Sequence, residues 1–97
     1  MSDFGSSEKH SLAQRIDRFI KGLERARRAP NRRESYHVVE ALRCLHDGRY
    51  EEGRLAMISA ERVAPLPAEA ANLVKSNEPE SVPELRAALD AILASNT

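Results

Sequence analysis

The segment YHVVEALRCLHDGRYEEGRLAMISAERVAP, residues 36–65, decides the fold, because its pattern predicts two helices joined by a turn. The first helix is indicated by apolar residues that recur at helical spacing on one face: Val38, Ala41, Leu42 and Leu45. Glycine adopts the left-handed conformation that closes a helix at little steric cost. We therefore expect the chain to turn at Asp47-Gly48-Arg49.

A second helix is predicted beyond this turn. Its apolar residues are Tyr50, Leu55, Met57, Ile58, Ala60 and Ala64. Glu51 and Glu52 suit the positive end of a helix dipole, and Pro65 and Pro67 end the helix. Since a short connection favours antiparallel neighbours, the two helices are expected to form a central antiparallel helical hairpin.

The small and aromatic residues of this segment follow a spacing that resembles a known family. These residues are Ala41, Gly48, Tyr50, Gly53, Ala60 and Pro65. Over residues 36–65 the spacing resembles a single helical hairpin of the tetratricopeptide-repeat family. The resemblance implies that Ala41, Gly53 and Ala60 let the two helices approach closely, and that Tyr50 packs near the turn. It concerns one hairpin, because the sequence holds no second copy of the pattern.

A long amphipathic helix is predicted before the hairpin, near residues 11–28. Its apolar stripe consists of Leu12, Ile16, Phe19, Ile20 and Leu23. Ser11 with Gln14 is expected to form a capping box at its start. Asp17 with Lys21, and Glu24 with Arg28, are spaced for ion pairs on the solvent face. Pro30-Asn31 is expected to end this helix.

A last helix is predicted near residues 82–94, because Ser81-Val82-Pro83-Glu84 combines an N-cap, an early helical proline and a capping-box glutamate. Its buried stripe is expected to contain Leu85, Ala88, Leu89 and Ile92, with Leu93 beside them. A short helix is also expected over residues 68–75. The sequence thus predicts an all-α bundle of four to five helices in a single domain, residues 11–97, behind a flexible N-terminal tail, residues 1–10.

The charges balance over the whole chain but not along it. The 97 residues contain 15 Lys/Arg and 15 Asp/Glu. Residues 1–33 carry a net charge of +5, residues 34–65 carry −2 and residues 66–97 carry −3. The N-terminal third is therefore the basic end. Because residues 1–7 lack the apolar core of a secretory signal and no apolar run is long enough to span a bilayer, we expect a cytoplasmic protein without membrane contact.

The residue types that perform catalysis or hold metals are sparse. Cys44 is the single cysteine, has no base nearby in sequence and is expected to be a packed thiol. His37 and Cys44 lie two helical turns apart, roughly 10 Å, which is too far to share one zinc ion. No glycine-rich phosphate loop occurs. We therefore expect no enzymatic activity, no metal and no cofactor.

The candidate functional site is a run of basic residues, named here the arginine cluster: Arg25, Arg27, Arg28, Arg32 and Arg33. Guanidinium groups bind carboxylates and phosphates bidentately. A solvated helix end explains such a run equally well, because cations suit a helix C-terminus. Since the domain is neutral overall, an acidic protein surface is the expected partner. The alternative is a nucleic-acid-binding accessory protein that uses the basic N-terminal third.

The overall interpretation is a small helical protein-interaction or regulatory module. The apolar stripe of the first helix is able to pair within the chain or with a second copy, so a homo-oligomer is compatible with the sequence. Glu51 and Glu52 lie at the start of the second hairpin helix, where they would repel DNA phosphates. This argues against that helix as a DNA-recognition helix.

Overall fold

A computed structural model describes residues 4–62 and 81–95, with side chains from Ser7 onward, and within these ranges the chain forms helices and no strand. The helices are α1 (Phe4–Ala26), α2 (Arg32–Asp47), α3 (Tyr50–Arg62) and α4 (Val82–Ser95). The predicted small all-α bundle is confirmed. The short helix expected over residues 68–75, and the residues Ala64, Pro65 and Pro67, lie outside the described ranges.

One core joins all four helices. Its apolar side chains are at most 6% exposed and come from every helix: Leu12, Ala13, Ile16, Ile20, Val38, Ala41, Leu42, Leu45, Met57, Ala60, Leu85 and Leu89. The stripes predicted for α1, α2 and α4 supply most of them. Burial of apolar surface is the main favourable term in folding, so these stripes hold the bundle together.

The chain breaks between α2 and α3 where the sequence predicts a turn. Gly48 has a φ of 80° and ends α2, and the Arg49 amide donates a 2.9 Å hydrogen bond to the Cys44 carbonyl. This is the left-handed closure that glycine favours. Beyond it, α3 begins at Tyr50, and α2 and α3 form the most extensive helix contact in the described chain. The antiparallel orientation of the pair stays a prediction.

The start of α1 differs from its prediction. The helix begins at Phe4 instead of Ser11, so residues 4–10, expected as a flexible tail, are helical. Ser11 lies inside the helix, and the capping box predicted for Ser11 and Gln14 is therefore wrong. The physical reason is propagation: once Leu12 and Ile16 anchor a helix, each added residue gains a hydrogen bond while only its own backbone is fixed.

Gly53 lies where three helices meet. A Cβ placed on this residue of α3 would lie 2.5 Å from Leu12 Cδ2 on α1 and 3.1 Å from Cys44 Cβ on α2. Both neighbours are buried, at 3% and 1% exposure. No larger residue fits without displacing them. Glycine at this position therefore sets how closely α3 approaches the other two helices.

Helix α4 is fixed by its cap, its leucines and one arginine. The Glu84 amide donates to Ser81 Oγ at 3.3 Å and the Ser81 amide donates to Glu84 Oε2 at 3.4 Å, which is the predicted capping box. Leu85 and Leu89 are each 1% exposed. The Arg86 guanidinium bonds to Asp17 and, at 3.0 Å, to Glu24, both on α1. The Arg86 bonds attach α4 to α1, and α4 also packs against α2.

Two predicted apolar positions face solvent. Leu55 on α3 is 51% exposed and Leu93 on α4 is 37% exposed, because the buried faces of these helices run through Met57 and Ala60 and through Leu85 and Leu89. Isolated exposed leucines are ordinary on protein surfaces. The predicted apolar stripes of α3 and α4 therefore each included a residue that is exposed.

Two glycines in helices should respond to alanine in opposite directions. Gly53→Ala gains about 1 kcal/mol of helix propensity but overpacks the site by about 1–3 kcal/mol, so we expect stability to fall by about 1 kcal/mol. Gly22 on α1 has no neighbouring atom within 4 Å of a built Cβ. Gly22→Ala should therefore raise stability by about 1 kcal/mol. Urea unfolding of both variants measures this. A stabilising Gly53→Ala would contradict the close approach.

Candidate functional site

The arginine cluster surrounds the connection between α1 and α2. Arg25 lies in the last turn of α1, Arg27 and Arg28 lie in the connection, and Arg32 and Arg33 are the first two residues of α2. All five residues are exposed. The cluster therefore spans the end of α1, the connection and the start of α2.

Arg27 closes α1 in an unusual conformation. Its φ is 51°, in the left-handed region that residues other than glycine rarely occupy. The Arg27 amide donates to the Glu24 carbonyl and the Arg28 amide donates to the Leu23 carbonyl, each at 3.1 Å. This is the hydrogen-bond pattern of a Schellman motif, in which glycine is the usual residue at the left-handed position. The chain therefore reverses sharply after Ala26.

Asn31 and Glu34 start α2 with a reciprocal cap. The Glu34 amide donates to Asn31 Oδ1 at 2.8 Å, and the Asn31 amide donates to Glu34 Oε1 at 3.0 Å. Sequence reasoning missed this cap, although Asn31 followed three residues later by Glu34 is its usual spacing. Consequently α2 begins at Arg32, directly after the cap.

The cap also holds one member of the arginine cluster. Arg28 donates two hydrogen bonds to the Glu34 carboxylate, at 2.7 and 2.9 Å. The Glu34 side chain is 6% exposed, whereas that of Arg28 is 50% exposed. Hydrogen bonds from Arg28 hold the pKa of Glu34 below its ordinary value despite its burial, with the Asn31 amide assisting. Arg28 therefore fastens the end of α1 to the start of α2.

This pairing replaces one that the sequence predicted. Arg28 lies beyond the end of α1, so it cannot form the expected pair with Glu24 one helical turn earlier. Glu24 instead bonds to Arg86 of α4 at 3.0 Å. The other predicted pair, Asp17 with Lys21, is present at 2.9 Å. The helix boundary decides which pair forms.

Within the described residues, Arg25, Arg27, Arg32 and Arg33 have no carboxylate within ion-pair distance. Arginines elsewhere mostly do: Arg15, Arg43, Arg49, Arg54 and Arg86 form ion pairs, and Arg18 and Arg62 do not. Unpaired guanidinium groups are thus concentrated at the α1–α2 connection.

Other reactive side chains are arranged for packing. Cys44 is 1% exposed, and burial raises the pKa of its thiol, which lowers the fraction of nucleophilic thiolate. His37 is 8% exposed, and its ring packs edge-on against Tyr36. The described residues hold no group of three His, Cys, Asp or Glu side chains placed to bind a metal ion.

Two grooves flank α4. One, of about 330 Å³, lies between α2 and α4; its apolar lining includes Leu42, Leu85 and Ile92. The other, of about 440 Å³, lies between α1 and α4, where Asp17 and Arg86 already pair. Neither groove concentrates unpaired charge as the arginine cluster does.

The comparisons with known proteins provide no information on the arginine cluster. Protein-family models, curated proteins and solved structures give no match to this chain. The resemblance of residues 36–65 to a tetratricopeptide-repeat hairpin therefore stays a prediction. No helix within the described ranges is both long and apolar enough to cross a membrane.

The Arg28–Glu34 pair gives stability a specific pH dependence. Because the pKa of Glu34 is lowered in the folded chain, the pair stabilises the fold above the ordinary glutamate pKa of 4.5 and loses this effect as pH falls through the folded value. Glu34→Gln keeps an acceptor for the Asn31 amide. We expect it to cost about 1 kcal/mol at neutral pH, since Arg28 is half exposed.

Urea unfolding of the wild type and Glu34→Gln should show this difference shrinking as the solution is acidified below the ordinary glutamate pKa of 4.5. Glu8→Gln is the control, because Glu8 is exposed and forms no ion pair in the described residues. It should leave stability unchanged at neutral pH. A Glu34→Gln deficit that persists undiminished in acid would rule out the ion pair as its cause.

Proposed function

We propose that this chain is a small protein-interaction or regulatory module, without catalytic activity of its own, whose arginine cluster contacts an acidic protein surface. The observation that carries the proposal is the concentration of unpaired guanidinium groups at one connection. Among the residues that the structure describes, Arg25, Arg27, Arg32 and Arg33 have no carboxylate partner, whereas most other arginines have one. Arginine is enriched in protein interfaces, where its fork binds carboxylates bidentately.

The charge distribution favours a protein partner over nucleic acid. Residues 34–97 carry a net charge of −5. Exposed Glu51 and Glu52 lie in the first turn of α3 and add local negative charge. A long polyanion would be repelled by most of this surface. A small acidic patch on a partner protein could instead contact the arginine cluster without approaching the negatively charged remainder. A cytoplasmic location agrees with this proposal.

Self-association is a further part of the proposal, but not through the stripe that the sequence offered. Leu12, Ile16, Ile20 and Leu23 of α1 are at most 3% exposed, because they are used within the chain. A homo-oligomer would need another surface.

Photo-cross-linking in cells that naturally express the chain tests this function. A photoreactive amino acid at Ala29, which is exposed within the connection, should capture a protein, and the yield should not change on nuclease treatment. The same group at Ala91, exposed on α4, should not capture that protein. The variant R25Q/R27Q/R32Q/R33Q should abolish the adduct, because it removes the unpaired guanidinium groups.

The matched control is R18E/R62E. It changes the net charge as much as the four glutamine substitutions do, and both of its positions are exposed and unpaired in the described residues. Its cross-link at position 29 should persist. An adduct that disappears with nuclease, or an equal loss in the control, would refute an acidic protein partner for the cluster.

A further inference from the structure

Two members of the arginine cluster are explained by the fold itself. Arg25 lies in the last turn of α1, where the exposed carbonyls carry partial negative charge and favour a cation. Arg28 donates two hydrogen bonds to Glu34 and so joins the two helices. Neither residue needs an external partner to account for its position.

Arg32 and Arg33 occupy positions that the fold disfavours. They are the first two residues of α2, where the helix dipole is positive and a cation is destabilising. Glu34, in the same turn, is the residue type that suits this end. No described carboxylate pairs with either arginine. Within the described residues, their charges are therefore uncompensated.

Arg27 is disfavoured for a different reason. Its φ of 51° costs a side-chain-bearing residue energy that glycine avoids. The end of α2 shows the alternative within the same chain, because Gly48 closes that helix with a φ of 80°. Arginine at position 27 thus brings strain and, in the described chain, no ion pair to offset it.

We infer that Arg27, Arg32 and Arg33 are the residues that bind the acidic partner, and that the chain keeps them against the preferences of its own fold. This inference rests on the proposed function of the arginine cluster. Natural sequences tend to break local structural rules where a function requires it, and stability is lower there as a result. Carboxylates from the partner would neutralise the charge at the start of α2, for which the described part of the chain offers no counter-ion.

The test combines affinity and melting temperature, with a fluorescent glutamate-rich peptide as the probe. Arg32→Gln with Arg33→Gln should weaken binding about tenfold. The same variant should melt about 3 °C or more above the wild type, because the unfavourable charges at the helix start are removed. Arg27→Gly should also weaken binding and raise the melting temperature. If these arginines only form a solvated helix end, neither variant should change peptide binding.

The control is R18Q/R62Q, which removes the same charge at two exposed positions outside the arginine cluster that are unpaired in the described residues. It should weaken peptide binding by no more than about twofold and should not raise the melting temperature. If the control loses as much affinity, or if R32Q/R33Q melts lower than the wild type, this inference is wrong while the proposed function stands. If the wild type does not bind the peptide even at low salt, the proposed function fails as well. Duplex DNA bound more tightly than the peptide at about 0.15 M salt would overturn the acidic protein partner.

Discussion

The bundle depends on the close approach of three helices at Gly53. A Cβ at this position would lie 2.5 Å from Leu12 Cδ2 and 3.1 Å from Cys44 Cβ, so the backbone of α3 is in direct contact with side chains of α1 and α2. Met57 and Ala60, one and two turns further along α3, are fully buried. Close packing of this kind makes a core sensitive to changes of a single methyl group. The distance between α3 and the other helices is fixed there.

The α1–α2 connection is organised by polar interactions instead. Asn31 and Glu34 cap α2, and the carboxylate of Glu34 is shared between this cap and Arg28. One largely buried group thus determines both where α2 begins and how the end of α1 lies against it. The remaining arginines of the cluster lie on either side of this arrangement, in the last turn of α1, in the connection and in the first turn of α2.

The sequence predicted most of the fold because its helical patterns are strong. The stripes containing Ile16, Val38 and Leu85 are buried, and Gly48 ends α2 as expected. The cap at Ser81 was likewise readable, since its spacing is local. The start of α1 was not, because propagation beyond an anchored stripe leaves little signal in residues 4–10. Exposure of Leu55 depends on how α3 packs, which local periodicity does not encode.

The candidate site was only partly readable. The five arginines were visible as a run, but their separate roles depend on the helix boundary at Ala26, which the sequence placed two residues too late. That boundary moves Arg28 from the surface of α1 into a pair with Glu34, and it puts Arg27 into a left-handed conformation. The separate cap formed by Asn31 and Glu34 makes Arg32 and Arg33 the first residues of α2. Charge composition alone treats the five arginines as equivalent. The helix dipoles and the backbone conformation at Arg27 separate them: the fold favours Arg25 and Arg28, whereas it only tolerates Arg27, Arg32 and Arg33.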